Sequence, residues 1–164
     1  MTSAVGTYLD ALAARLAADG CQVSTEDWGG TTVLIGYRSE FRLRWFATKL
    51  HLFVVAAEVP QVTPDGIEGF TTTGMDYALA RKGSMRGLQS GVAVLPALVS
   101  SSSDPAAVKW AKRKQRNRFA CMARPVVVDL TTATASYYKG RTMVGAIYQG
   151  YLLRKLRTYF PKAA

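Results

Sequence analysis

A mixed α/β fold is predicted by three features of this 164-residue chain. Apolar residues recur at helical spacing near both ends, alternating strand-like segments fill the span from Cys21 to Val59, and a strand–helix–strand pattern follows Gly91. The expected order is an N-terminal helix, an antiparallel meander, a second helix, a β-α-β crossover unit and a C-terminal helix, in one globular domain over residues 1–164.

The first helix is expected over about Ser3–Ala18. Val5, Tyr8, Leu9, Leu12, Ala13 and Leu16 share a face, Thr2 or Ser3 caps the start and Gly20 suits the end. The meander begins with Cys21, Val23 and Thr25 alternating with polar neighbours, and Trp28-Gly29-Gly30 is a turn signal. Thr31–Tyr37 reads as a strand, Arg38-Ser39-Glu40 as a turn, and Phe41–Trp45 as a strand with Arg42 and Arg44 on its polar side. A longer strand is expected over Leu50–Val59.

Thr63-Pro64-Asp65-Gly66 is the next turn. A helix is expected from Ile67 to Arg81, weakened by Thr71, Thr72, Thr73 and Gly74. Lys82–Ser90 reads as a loop. Gly91–Val99 is an apolar strand holding Pro96, which lacks a ladder donor and therefore predicts a bulge or an edge. Asp104 and Pro105 suit the start of a helix running to Asn117, and Pro125–Leu130 completes the parallel crossover. Thr134–Tyr138 adds a short strand. The last helix is expected over Thr142–Tyr159; Lys155 lies in its apolar stripe and has to reach water or an acid.

Apolar residues make up 49%, enough for a sizeable core. The N-terminus lacks a basic leader pattern, and the longest uncharged stretch, Gly87–Ser103, contains Pro96 and ends in serines, so no membrane span is expected. Cys21 and Cys121 have no framework spacing and read as two buried thiols of a cytoplasmic protein.

Charge is unevenly distributed. Pro105–Ala164 hold 13 Lys/Arg and one acid, Asp129, whereas the first 104 residues hold 8 Lys/Arg and 10 acids. On the expected helix, Lys109, Lys112, Arg113 and Arg116 form one stripe. Five like-charge pairs at three- or four-residue spacing involve these residues with Lys114 and Arg118, at about 0.2–0.5 kcal/mol each. The helix dipole opposes that cost by about 0.3–1 kcal/mol per cation near the C-terminus. The two readings are an anion-binding stripe and a solvated basic face. As a site it comprises Lys109, Lys112, Arg113 and Arg116, extended by Arg154 and Arg157, with Trp110 or Tyr159 as a stacking face. The partners that fit are nucleic acid or an acidic protein; a homo-oligomer whose charge serves only solubility is the alternative.

Catalytic patterns are sparse. His51, the only histidine, lies in an apolar strand and reads as a structural residue. One histidine and two distant cysteines make no metal motif, and no cofactor is expected. Gly83–Gly91 is glycine-rich with Arg86, but it precedes a strand and lacks a Gly-Lys-Ser/Thr end.

The order of elements over about Ser3–Leu130 resembles that of restriction-endonuclease-type domains, and the helix–meander–helix start resembles secretion-chaperone-type protein-binding domains. The first resemblance implies an acid and an acid-x-Lys on adjacent strands holding Mg²⁺. Glu58-Val59-Pro60 has no such lysine, so it implies a divergent or inactive nuclease, with Asp27, Glu40 and Glu58 as candidate oxygen ligands. From the residues themselves the expectation is a binding module that engages an acidic partner through its C-terminal third.

Overall fold

A computed structural model describes residues 3–45, 48–84, 90–115, 121–140 and 146–162. Its elements are α1 (Ala4–Ala18), β1 (Gln22–Trp28), β2 (Thr31–Arg42), β3 (Thr48–Glu58), α2 (Pro64–Ser84), β4 (Ser90–Ser100), α3 (Pro105–Ala111), β5 (Cys121–Ala123), β6 (Val126–Asp129), β7 (Thr134–Ser136) and α4 (Gln149–Tyr159). The strands form one mixed sheet in the order β1-β2-β3-β4-β6-β7, with β5 also beside β4. β1, β2 and β3 are antiparallel, β3 through β6 are parallel, and β7 returns antiparallel to β6.

Alternation along the strands builds two cores. Leu50, Leu52, Val54 and Ala56 of β3, with Ala93, Leu95, Ala97 and Val99 of β4, face α1 and α4. Phe53, Val55 and Ala57, with Val92, Val94 and Leu98, face α2 and α3. The result is a three-layer α/β/α arrangement. Both crossovers, through α2 and α3, lie on the same side of the sheet.

α1 begins where Ser3 Oγ accepts from the Gly6 amide at 3.0 Å, and Gly20 leaves it at φ +84°. It packs closely because β2 has a glycine beneath it: a Cβ on Gly36 would lie 2.9 Å from Leu16 Cδ1. Gly29 and Gly30 both have positive φ and close a two-residue hairpin between β1 and β2.

Several boundaries differ from expectation. Arg38-Ser39-Glu40 is not a turn: these residues pair with Leu52, His51 and Leu50, and Arg38 is drawn inward by Asp19. The chain turns instead at Leu43–Trp45, a 3-10 segment, because Trp45 folds under to meet Tyr148 and Tyr151 edge-on at 5.1 and 5.2 Å. Thr63 is the cap of α2 rather than part of a free turn, its hydroxyl accepting from the Gly66 amide.

α2 extends to Ser84 despite its weak formers. The hydroxyls of Thr71, Thr72 and Thr73 bond to carbonyls four residues back, and Gly74 admits Val55 and Val94 of the sheet. The segment 85–89 of the glycine-rich loop lies outside the described residues. The last helix starts at Gln149 after a 3-10 turn over Ala146–Tyr148; residues 141–145 of its expected span also lie outside them.

Pro96 sits in a central strand, neither at an edge nor in a recorded bulge. Val94 and Ser100 accept bonds from Arg124 and Leu130, so even-numbered β4 residues direct their polar backbone groups toward β5 and β6. The missing donor of Pro96 therefore faces Arg124-Pro125, where β5 and β6 are interrupted. Proline is tolerated centrally because the neighbouring ladder breaks beside it.

α3 is shorter than expected and ends at Ala111. The like-charge pairs begin to accumulate there, and the turn closes by Arg113 N–H donating to the Trp110 carbonyl at 3.1 Å. The Gln115 amide donates to the carbonyls of Trp110 and Arg113 at 3.1 and 3.2 Å. Repulsion and side-chain capping outweigh the dipole's favour for cations.

Among the described residues, no helix is long and apolar enough to cross a membrane.

Candidate functional site

Asp104 caps α3 by accepting from the Ala106 amide at 2.9 Å, with Pro105 following it in the first turn. Ala107 and Ala111 pack onto the sheet, which leaves Lys109 exposed on the outer side. Lys112, Arg113 and Lys114 then follow one another in irregular, exposed backbone. This segment directly follows α3; residues 116–120, between it and Cys121, lie outside the described residues. The expected helical stripe is thus replaced by a helix residue and a consecutive basic run. Lys114 belongs to that run, although helical spacing set it off the stripe. Arg116 and Arg118 lie outside the described residues.

Arg154 and Arg157 are exposed too, but on α4, across the sheet from α3. They do not extend the same surface. Tyr159 is no stacking platform, since it is fully buried and donates its hydroxyl to Asp19 at 2.5 Å. Trp110 is half-buried.

All eleven carboxylate side chains lie on described residues. Asp19 takes Arg38 at 2.9 Å and Lys155 at 2.6 Å; Glu26 takes Arg81 at 2.9 Å; Glu40 takes Arg42 at 3.2 Å. Lys155, the cation in the apolar stripe, thereby finds its acid. Among the described residues, Lys109, Lys112, Arg113, Lys114, Arg154 and Arg157 make no ion pair.

Of the other eight acids, Asp76 lies within α2, and the remaining seven show where an anion is unwelcome. Glu58 and Asp129 end parallel strands, Asp65 and Glu68 open α2, Asp104 opens α3, and Asp27 lies in the neighbouring hairpin. Asp10 joins Glu58 in a groove of about 950 Å³ between α1 and β1–β2. The carboxyl ends of the parallel strands are therefore acidic. At the amino ends, Arg44 and Lys49 are exposed. Sequence reasoning placed Arg44 on an exposed strand side but overlooked Lys49, because strand direction, not chain position, brings the two together.

The buried polar groups have structural partners. His51, 4% exposed, shares a 2.8 Å hydrogen bond between Nδ1 and Tyr37 Oη. Cys121 is buried, whereas Cys21 is half-buried with Sγ 3.5 Å from Tyr159 Oη; burial pushes its thiol pKa up. Arg124, 4% exposed, has no carboxylate partner. It donates to the carbonyls of Tyr138 and Gly140 and to Gln149 Oε1, and lies over the Tyr138 ring at 4.7 Å. Burial lowers its pKa, opposed by Tyr138.

Asp27, Glu40 and Glu58 do not form the expected oxygen cluster. Glu40 pairs opposite Leu50 at one end of β3, and Glu58 ends that strand. Asp27 caps the Gly30 amide at 2.6 Å. The described residues contain no group of three or more His, Cys, Asp or Glu placed to hold a metal ion. No family model, curated protein or solved structure matches this chain.

Proposed function

We propose that this protein is a binding module for nucleic acid, engaging the phosphate backbone through Lys109, Lys112, Arg113 and Lys114. The observation that supports this most is the exposed, unpaired run Lys112-Arg113-Lys114 in a chain whose carboxylates all lie on other elements. Phosphate recognition of this kind depends on the number of cations presented and needs no shaped pocket. An acidic protein would bring the same charge, but protein interfaces draw their energy from apolar anchors. The exposed large apolar residues among those described are Val23, Phe41, Leu43 and Ile147, none of them in α3 or the run after it. That favours a nucleic acid.

Fluorescence anisotropy with single-stranded and duplex oligonucleotides tests the reading. K112Q/R113Q/K114Q is expected to weaken binding at least about tenfold at fixed salt, and R154Q/R157Q to change it by less than about twofold. Equal loss in both variants contradicts the assignment to this segment. Preferential capture of polyglutamate over either nucleic acid points to an acidic protein partner instead.

A further inference from the structure

We infer that β1 is a dimerisation edge: it pairs antiparallel with β1 of a second copy, joining the two sheets into one. The two ends of the sheet are managed differently. β7 is three residues long, and the Ala135 amide at its outer side donates to the Lys162 carbonyl at 3.1 Å. β1 is seven residues long, pairs with β2 along its whole length, and has no partner strand on its other side among the described residues. The row of N–H and C=O groups on that side is a template for another strand.

Several usual defences of a free edge are missing, and the charges β1 does carry, Glu26 and Asp27, sit near one end. Gln22-Val23-Ser24-Thr25-Glu26-Asp27-Trp28 contains no proline, no lysine and no arginine, and its pairing with β2 is continuous. Val23 is 37% exposed. The helices leave room: Val23, Ser24 and Thr25 line the open groove beside α1, while Gln22 and Ser24 line a smaller cavity of about 280 Å³ on the other side.

Self-pairing also selects its own register. An antiparallel two-fold contact within one sheet keeps side chains on their own face, so it must centre on a residue of β1. Centred on Glu26, it sets two carboxylates opposite each other, which is unfavourable. Centred on Ser24, it pairs only part of the strand. Centred on Thr25, all seven residues pair, with Gln22 opposite Trp28, Val23 opposite Asp27 and Ser24 opposite Glu26. No like charges lie directly opposite each other. The paired length is about 24 Å at roughly 3.4 Å per residue. The strand itself holds two acids and no cation, one of them, Glu26, already paired with Arg81 of α2, and β2, β3 and β4 separate it from β6 on the far side of the basic crossover. The net charge of +10 therefore does not oppose the contact locally.

Sedimentation velocity on the full chain, at protein concentrations from sub-micromolar to tens of micromolar, tests this. The wild-type protein is expected to sediment as a concentration-dependent dimer. Thr25→Lys places two ammonium groups across the two-fold and is expected to raise the dimer dissociation constant at least about tenfold, with a circular dichroism melt matching wild type at sub-micromolar concentration, where both are monomers. Hydrogen exchange on the wild-type chain supplies a second reading: amides within residues 22–28 gain protection as concentration rises. A wild-type monomer throughout overturns the inference. So does a dimer that survives Thr25→Lys undiminished or leaves β1 exchange unchanged. Neither outcome bears on nucleic-acid binding through α3.

Discussion

Asp19 joins three elements. Its carboxylate accepts from Arg38 on β2 and from Lys155 and Tyr159 on α4, while its own backbone ends α1. Burial acts to raise its pKa. The hydrogen bonds from Lys155 and Tyr159 and the charges of Lys155 and Arg38 outweigh burial and hold it below the ordinary 3.8. A carboxyl lowered on folding adds stability that is complete well above its unfolded pKa and is lost as pH falls through the folded value. Asp19→Asn is therefore expected to cost about 2–3 kcal/mol at neutral pH, less than the 3–5 of a fully buried pair because all three charged groups keep some solvent contact. Urea denaturation at pH 7 and pH 3 checks this: the difference between wild type and variant shrinks at the lower pH. A gap that stays constant removes Asp19 from the acid limb. Sequence reading identified Lys155 as a cation in need of an acid. It did not name Asp19, because the partners lie 136 residues apart and only the packing of α1 on α4 joins them.

At the scale of elements, composition misleads where a second contact rescues it. The Thr71–Gly74 run looks poor for a helix. Its hydroxyls bond back along the helix and its glycine lets α2 approach the sheet, so the element is long. Pro96 looks unfit for a central strand, but its missing donor faces an interruption in the neighbouring ladder. Pro96→Ala restores an N–H opposite the Arg124 carbonyl. The gained hydrogen bond is worth about 0.5–1.5 kcal/mol, and the freed unfolded chain costs about 0.4–1 kcal/mol. The net change is expected to stay within about 1 kcal/mol, and the new amide to be protected from exchange. A large destabilisation, or rapid exchange at residue 96, contradicts this account of the β5–β6 break. α3 shows the opposite error. Its capping residues were legible, but its end was not, because the contest between dipole and like-charge repulsion is decided by where the Gln115 side chain bonds.

Across the whole molecule, the order of elements and the parallel crossover through α3 follow from patterns visible in the chain: helical stripes at both ends, alternation in the meander, and a strand–helix–strand run. The placement of charge does not. Arg154 and Arg157 belong to the same sequence third as Lys112 and Arg113, yet the sheet puts them in opposite helical layers. Seven of the eleven acids, among them Asp10, Glu58 and Asp129, gather at the carboxyl ends of the parallel strands. That polarity depends on strand direction, which requires the topology.

The central claim is that consecutive cations after α3 contact phosphates. The salt dependence of oligonucleotide affinity tests it most directly. Each phosphate neutralised contributes about −0.9 to the slope of log K against log salt for a duplex. Relative to wild type, K112Q/R113Q/K114Q is expected to flatten that slope by about 3. An unchanged slope in a folded variant contradicts the claim.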